Sequence, residues 1–553
     1  MHRRLVSFFV VFALVGCDGR IDGGRLPAAP VESTPEEGPL RTDCTQPAPP
    51  GRRLLWRVTA AQYQNLATAL VTGRVASALT PPTVAAVGEL PFADEPSLGR
   101  YSGQPVGATV QEAQLAPLLT SASTAGTLAV AALKRRNGHC VQQGYRMGLA
   151  ACLRQTLQER APIVQGRALE PAALDAIVRD AAGTVPTLSN DEAMALGLSS
   201  LLTSPYALFR RELSPALSGE DIAMAMAFAL TDAPPDEALW AAATSGALAT
   251  EDGRRAQLDR LFAEPERLPA LARFLEEHFR YTETRLVAKD PAKFRFHDSP
   301  RLVVEARRLV SHLLDTAATR DFLKETLTTR VAFVSQTTAP SYGLTAAAIM
   351  APSSTQAVQA QLGPERAGLL THPALLSAFS HTDETDPVKR GHFVSESLLC
   401  VKVPPLPIGV VPALPDLGPN ATPRDRLRVH SQDSCWGCHQ LMDPIGLGME
   451  DFDHTGRVQA RDASGQLVGT GTPLDQPFTG TAALAANLAS SPLVHACFAQ
   501  HLHAFISGAQ PVAQDRCTAR EAADASLEAG GDLRPVIAAW FSSPTFLTRQ
   551  ETP

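Results

Sequence analysis

Helical periodicity runs through most of this 553-residue chain and constrains its fold more than any other feature. In the segment SPRLVVEARRLVSHLLDT, Ser299 and Pro300 suit the start of a helix. The apolar residues that follow recur at helical spacing; they are Leu302, Ala306, Leu309, Val310 and Leu313. Ser218 and Asp221 have capping-box spacing before an alanine-rich helix of the same kind. The sequence therefore predicts a mainly α fold built from several helical modules.

Alternation typical of β-strands occurs only in GRVQARDASGQLVGTG, residues 456–471. It flanks the turn residues Asp462 to Gly465, which predicts one short β-hairpin there. The chain is long enough for several domains of about 100–200 residues each. Breaks in the helical pattern divide it into five predicted modules, namely 53–135, 136–212, 213–345, 360–472 and 473–550.

The N-terminus has the pattern of an export signal. Residues 2–4 are basic, and residues 5–15 are apolar but too few to span a bilayer. The signal, residues 1–17, ends in Leu-Val-Gly-Cys, which resembles a bacterial lipoprotein signal in which Cys17 carries the lipid. An ordinary secretory signal is the alternative. Because no later segment reads as a membrane-spanning helix, we expect a lipid-anchored protein of the bacterial cell envelope, periplasmic or surface-exposed.

Composition agrees with a folded, exported protein. Residues 18–52 are rich in proline, glycine and acids, so they predict a tether between the lipid and the first module. The whole chain is 44% hydrophobic and 19% charged, which provides apolar material for large cores. Its net charge of -7 and the lack of a basic stripe argue against nucleic acid as a partner.

Residues 435–439 read Cys-Trp-Gly-Cys-His, the spacing at which haem c is attached. Two thiols on one helical turn can add to the two vinyl groups of haem, and the adjacent histidine can ligate the iron. We therefore predict covalent haem c on Cys435 and Cys438, with His439 as the proximal ligand. Thr422, with Pro423 and Asp425 after it, predicts that a helix leads toward this cytochrome c-like segment.

Three other interpretations of the motif stay open. The cysteines could be a redox-active pair, although such pairs usually lie near a βαβ unit, which is missing here. They could bind zinc, although the sequence offers no second ligand pair close by. They could also form a plain disulfide in an exported protein.

The sixth position of the iron is not fixed by the sequence. Met442 is too near His439 to cross the haem plane, and Met449 could do so only through a sharp reversal. Further candidates are His381, His430, His454, His501 and His503. A methionine or histidine there would favour electron transfer, whereas an open position would admit small oxidants.

Acidic residues after the motif raise the question of a calcium site. Their spacing does not follow a calcium loop closed by a bidentate glutamate, so turns and backbone capping are the favoured interpretation. The residues concerned are Asp443, Glu450, Asp451 and Asp453.

The chain has nine cysteines. Without Cys17 and the two of the motif an even number remains, which in an oxidising compartment predicts three disulfides. They would join Cys44, Cys140, Cys152, Cys400, Cys497 and Cys517 in one of many possible pairings. Closeness in sequence favours Cys140–Cys152 and Cys497–Cys517, which leaves Cys44–Cys400. Buried free thiols are the alternative.

From about Arg53 onward, the chain resembles large exported bacterial proteins built from consecutive domains of unknown function and associated with planctomycete-type cytochrome c modules. The resemblance is strongest in 366–400, 435–457 and 478–508, and weaker in 56–66, 201–212 and 235–248. The residues that carry it include Arg366, Gly368, Leu369, Leu370, Pro387, Arg390, Gly391, Cys400, Cys435, Cys438, His439, Met442, Asp443, Pro444, Gly446, Glu450, Phe452, Asp453, Gly456, Arg457 and Cys497.

Two segments depart from the family pattern. Where the family has a double arginine and a proline, this chain has Arg167 followed by Ala168, and residues 228–235 lack the expected aromatic positions. The resemblance implies an exported haem-c protein acting in electron transfer or surface redox chemistry with a redox partner protein. A structural or binding lipoprotein and a peroxidase-like haem enzyme are the alternatives, so the sequence does not decide whether the protein is an enzyme.

Overall fold

The structure, a computed structural model, describes most of the chain from Cys44 onward. It covers residues 44–45, 49–51, 53–73, 100–102, 110–183, 188–264, 268–316, 321–403, 418, 421–431, 433–467, 474–508 and 513–550. The predicted signal, the lipid site at Cys17 and most of the predicted tether lie outside these residues.

The protein is mainly helical, as the periodicity predicts. In chain order the helices are α1 (Ala60–Thr72), α2 (Glu112–Lys134), α3 (Leu149–Gln165), α4 (Pro171–Gly183), α5 (Asn190–Thr203), α6 (Pro205–Leu208), α7 (Gly219–Thr231), α8 (Glu237–Thr244), α9 (Glu251–Phe262), α10 (Pro269–Phe279) and α11 (Ser299–Leu314). They continue with α12 (Phe322–Thr328), α13 (Pro373–Ala378), α14 (Pro387–Phe393), α15 (Pro423–Leu427), α16 (Asp433–His439), α17 (Asp443–Leu447), α18 (Thr481–Ala489), α19 (Pro492–Ser507), α20 (Ala513–Glu528), α21 (Leu533–Ser542) and α22 (Pro544–Leu547).

Six short strands form three antiparallel pairs in the described part of the chain. The pairs are β1 (Leu54–Arg57) with β2 (Phe209–Glu212), β3 (Val331–Val334) with β4 (Val358–Gln361), and β5 (Ser464–Gln466) with β6 (Pro477–Thr479). In the first pair Leu54 lies opposite Glu212, so the start of the first predicted module is tied to the end of the second.

A short antiparallel strand pair follows the cysteine motif as predicted, but its turn does not lie at Asp462 to Gly465. The pairs β1–β2 and β3–β4 were not predicted. Ser464 and Gly465 belong to strand β5, whose partner strand starts only at Pro477. Asp462 accepts hydrogen bonds from the backbone N–H and hydroxyl of Ser464, so its turn leads into the strand. The ring of buried Phe478 then lies so close to Gly465 that a side chain there would clash with it.

Helices α1 to α5 form the core of the N-terminal half. The contact between α2 and α5 depends on small residues, since a Cβ on Gly126 would lie 2.4 Å from the carbonyl oxygen of Ala195. Ala122, Ala125 and Ala129 are buried on the same side of α2. Small residues in this stripe let the two helix backbones approach closely and bury the leucines around them, each worth about 1.5–3 kcal/mol.

Among the described residues, α2 is long and apolar enough to cross a membrane, and α18 with α19 would be so as one span bent by 79°. A core helix of a globular protein meets the same criteria, so the expectation that no segment after the signal spans a membrane stays a prediction. One side of α2 is packed in the N-terminal core, whereas Leu115 and Leu119 on the other side are exposed.

The central, motif-bearing and C-terminal segments share one larger core. Its buried aromatic residues include Phe274 of α10, Phe393 of α14, Phe452 and Phe498 of α19. Helix α7 joins the two cores, because Phe228 lies in the N-terminal core and other residues of α7 lie in the larger one. The residues that follow the cysteine motif, such as Ile445, Met449 and Phe452, are therefore packed in this larger core. The predicted boundaries of the five modules remain predictions.

All six cysteines predicted to form disulfides do so, but two of the predicted pairings were wrong. Cys140–Cys152 is present as expected. Cys497 pairs with Cys400, and Cys517 pairs with Cys44, at Cα–Cα distances of 5.5 and 5.6 Å. The reason is the position of the Cys497 sulfur, which lies 3.7 Å from the carbonyl oxygen of Ser397, in the π turn Val394–Leu398 just before Cys400.

Candidate haem-binding site

Helix α16 carries both motif cysteines and ends at His439. Cys435 and Cys438 lie three residues apart, about one helical turn, and both are half-buried. Their sulfurs are free, whereas the six other cysteines in the described part of the chain are in disulfides. Trp436 lies between them and is partly exposed. The predicted attachment residues are thus together on one short helix, with both thiols chemically available.

The helix predicted from Thr422 begins there but is short. Thr422 and Asp425 form the predicted capping box, and α15 then ends at Leu427. A 3-10 turn, Arg428–Ser431, leads on toward α16. This break turns the chain so that His430 comes beside His439, with their ring centroids 3.8 Å apart.

Asp443 connects the two histidines. Its Oδ1 lies 2.9 Å from Nδ1 of His439, and its Oδ2 lies 2.9 Å from Nδ1 of His430. The side chain of His439 is 12% exposed, that of His430 is 7% exposed and that of Asp443 is 5% exposed. An ionised carboxylate only accepts hydrogen bonds, so the network assigns a hydrogen to Nδ1 of each imidazole. In the neutral imidazole of His439 this leaves the lone pair on Nε2, the atom that would ligate iron.

Backbone contacts fix Asp443 in this position. Asp443 is the first residue of α17, and Pro444 suits the first turn of that helix. Helices α14 and α17 touch through glycines: a Cβ on Gly391 would lie 1.9 Å from the carbonyl oxygen of Met442, and one on Gly446 would lie 1.7 Å from that of Pro387. No side chain fits at either position, so α17 is held against the core at a close distance.

The loop after α17 is held by buried Arg390. Its guanidinium donates hydrogen bonds to the carbonyl oxygens of Met449, Phe452 and Asp453 at 2.8–2.9 Å. Burial lowers the pKa of Arg390, and nearby Glu450 opposes that effect. Arg390, one of the residues that carry the family resemblance, therefore holds the backbone of this loop.

Two of the acidic residues considered for calcium form turns or caps, as favoured. Asp451 accepts from the backbone N–H of Thr481 at the start of α18, at 2.9 Å. Asp453 accepts from the backbone N–H groups of Thr455 and Arg457, at 2.8 and 3.0 Å. Glu450 instead accepts hydrogen bonds from the Thr385 hydroxyl and the Arg461 guanidinium. Asp443 is a second exception, because its carboxylate binds the two histidines. Its position four residues after His439, one helical turn along, was the signal in the sequence that could have revealed this.

Of the candidates for the sixth iron ligand, His430 is the one in ring contact with His439. It lies against the face of that ring and not across from Nε2. His501 forms hydrogen bonds with the Tyr101 hydroxyl and the Glu396 carbonyl oxygen. His503 forms one with the carbonyl oxygen of Val536. The others also have contacts elsewhere: His381 with Asp386, His454 with Phe294, and the side chain of Met449 in the larger core. Met442 is buried next to α14.

The donor atoms present fit haem c. Covalent attachment needs two unpaired thiols on one helical turn followed by an imidazole with a free Nε2 lone pair, and this segment has all three. The atoms of His430, His439 and Asp443 also lie near enough together to hold a metal ion. Sequence reasoning missed this group, because His430 is separated from His439 by a break between two helices.

The fold and site define a mainly helical, multi-domain protein with a Cys-x-x-Cys-His helix on its larger core. Three family models match consecutive parts of the chain: proteins of unknown function DUF1592 over 217–344, DUF1588 over 366–462 and DUF1585 over 475–546. The chain belongs to the group of proteins in which these planctomycete-type cytochrome c-associated domains are consecutive. The predicted family resemblance is thereby confirmed for residues 217–344, 366–462 and 475–546.

The motif at 435–439 lies inside the DUF1588 match. The cytochrome c association of these families is compatible with a redox role. Comparison with curated proteins and with solved structures found no match. The resemblance of residues 53–216 stays a prediction.

Proposed function

We propose that this protein is an exported, lipid-anchored haem-c protein that transfers electrons to or from a redox partner protein. The observation that carries the proposal is the pair of free thiols of Cys435 and Cys438 on one helix with His439, whose Nδ1 is held by Asp443. Bound haem would supply an iron that changes between ferrous and ferric states. The chain would hold the haem through the thiols of Cys435 and Cys438 and the imidazole of His439.

The rest of the chain is consistent with this role. Helix α16 is partly exposed on the larger core, and half-exposed Trp436 between the cysteines marks a surface at which a partner could approach. The three disulfides favour an oxidising compartment, which is also where haem c is attached. Cys17 would anchor the protein to the cell envelope through lipid.

A peroxidase-like haem enzyme is the second candidate. The carboxylate behind His439 favours it, since an anionic partner makes an imidazole a stronger donor to a metal. The third candidate function is a structural or binding lipoprotein, in which Cys435 and Cys438 would form a disulfide. It has less support, because the two sulfurs are not bonded in this structure.

The test uses the full-length protein from a host that exports it and has a cytochrome c maturation system. We expect a haem-stained band on a denaturing gel and a reversible one-electron optical titration, with slow turnover of peroxide. Fast peroxide turnover would favour the enzyme, and an unstained band with a Cys435–Cys438 disulfide would favour the structural lipoprotein. The Cys435→Ala, Cys438→Ala double variant is the negative control for staining.

A further inference from the structure

The carboxylate of Asp443 is shared equally by two buried imidazoles. Each of its oxygens accepts one hydrogen bond, at 2.9 Å, from a different histidine ring. None of the salt bridges found among the described residues brings an arginine or lysine to Asp443. Its negative charge is therefore offset mainly by the N–H groups of His430 and His439.

The geometry points to Asp443 as a positioning residue that sets the donor strength of His439 toward haem iron, with His430 as the residue that limits this effect. The inference rests on the proposed function and deepens it. It assigns to the site a means of tuning the iron, which the attachment motif alone does not contain.

The first step is the orientation of His439. A hydrogen bond from Nδ1 to a fixed carboxylate keeps the hydrogen on that atom, so Nε2 keeps its lone pair. It also fixes the rotation of the ring, because Asp443 belongs to a helix held against α14 by the Gly391 and Gly446 contacts. Partners of this kind orient a metal-bound histidine and raise its basicity.

The second step is electrostatic. The site is nearly closed to water, with Asp443 only 5% exposed, so its charge acts on the imidazole with little screening. A stronger donor stabilises the ferric state more than the ferrous state, and this lowers the reduction potential. Asp443 should therefore make the iron harder to reduce.

The third step concerns His430. Its own N–H bond to Oδ2 takes up part of the carboxylate charge and leaves less of it for His439. Removal of that bond should strengthen the effect of Asp443 on His439. The two residues are therefore expected to shift the potential in opposite directions, which a role in folding alone would not produce.

The experiment measures the reduction potential of purified full-length protein at one fixed pH, by optical titration with mediator dyes. Asp443→Asn keeps the size of the side chain and removes its charge; we expect it to raise the equilibrium constant for reduction on the order of tenfold, about 59 mV for one electron. His430→Phe keeps a ring against His439 and should lower that constant. Asp443→Glu, which restores the charge, should return the potential toward that of the wild type.

Asp462→Asn is the matched control. It removes one negative charge from the same domain, but its carboxylate is exposed and binds Ser464 and Arg424. We expect no more than a small shift. Circular dichroism and the ratio of haem to protein check that each variant is folded and loaded.

Shifts of opposite sign in Asp443→Asn and His430→Phe support the inference, and unchanged potentials in both overturn it. If Asp443→Asn carries no haem, His430→Phe alone decides: a lower potential supports the inference, and an unchanged one overturns it. Wild-type protein without attached haem would overturn the proposed function instead, so the two failures are distinguishable.

Discussion

Glu212 and Arg549 form a buried ion pair that joins strand β2 to the C-terminal segment. They are 337 residues apart in sequence, and their side chains are 8% and 3% exposed. Burial alone would raise the pKa of Glu212, but Arg210 and Arg549 outweigh it and lower that pKa. The N-terminal half is thus bound to the end of the chain by a charge pair with little access to water.

We expect Glu212→Gln to lower the free energy of unfolding by about 3–5 kcal/mol, because it removes the negative charge that Arg549 pairs with in the protein interior. The measurement is urea unfolding followed by circular dichroism. Glu251→Gln is the matched control, since Glu251 forms an exposed pair with Arg255 and should cost less than about 1 kcal/mol. If both variants lower the free energy of unfolding equally, the buried pair stabilises the fold no more than an exposed one does.

The pH dependence of stability should depend on Lys289. Burial, together with Arg390 nearby, lowers the pKa of its ammonium to about 7, and it donates hydrogen bonds to Ser380 and to a backbone carbonyl. Because the unfolded chain binds this proton up to a higher pH, the free energy of unfolding should rise as the pH increases from about 7 toward 10. Below pH 7 both states hold the proton, so this gain is absent.

Lys289→Met should remove that gain. The difference in the free energy of unfolding between pH 6.5 and pH 9 should then be smaller than in the wild type by on the order of 1–2 kcal/mol, a range that allows for the partial exposure of Lys289. Urea unfolding at the two pH values checks it. Lys293→Met, which removes an exposed lysine of the same loop, is the control. A wild-type-like slope in Lys289→Met would contradict the lowered pKa.

The disulfide pairing can be read directly by peptide mapping under non-reducing conditions. We expect the pairs Cys44–Cys517 and Cys400–Cys497, and recovery of a Cys497–Cys517 peptide would contradict the fold of this region. Cys517→Ser should lower the free energy of unfolding by about 2–5 kcal/mol because it opens a very long loop. Cys140→Ser, which opens a loop of 12 residues, should cost less.

The fold class could be predicted because helical periodicity and caps are local. The capping boxes at Ser218 and Thr422 are present where the sequence places them. The pairing of Cys497 could not be predicted from the sequence, because it depends on which face of α19 packs against the π turn before Cys400. The position of the hairpin turn was predicted wrongly, because Gly465, interpreted as a turn residue, lies opposite Phe478 inside the strand pair.

The site was predicted in part for a similar reason. Cys435, Cys438 and His439 lie within five residues of one another, so the sequence alone predicts that they can act together on one haem. His430 joins them only because a 3-10 turn reverses the chain, and Asp443 joins them through the packing of α17 on α14. The contact of His430 comes from tertiary structure, and no local pattern encodes it. The four-residue spacing of His439 and Asp443 was a local signal for their contact, but it does not show that Asp443 also binds His430.

The intact mass of the mature protein tests the central claim most directly. From a host with a working cytochrome c maturation system, we predict a mass that equals the processed chain plus one haem and remains so after denaturation, with loss of that haem in the Cys435→Ala, Cys438→Ala double variant. A wild-type mass equal to the bare chain, with or without a Cys435–Cys438 disulfide, would contradict the account.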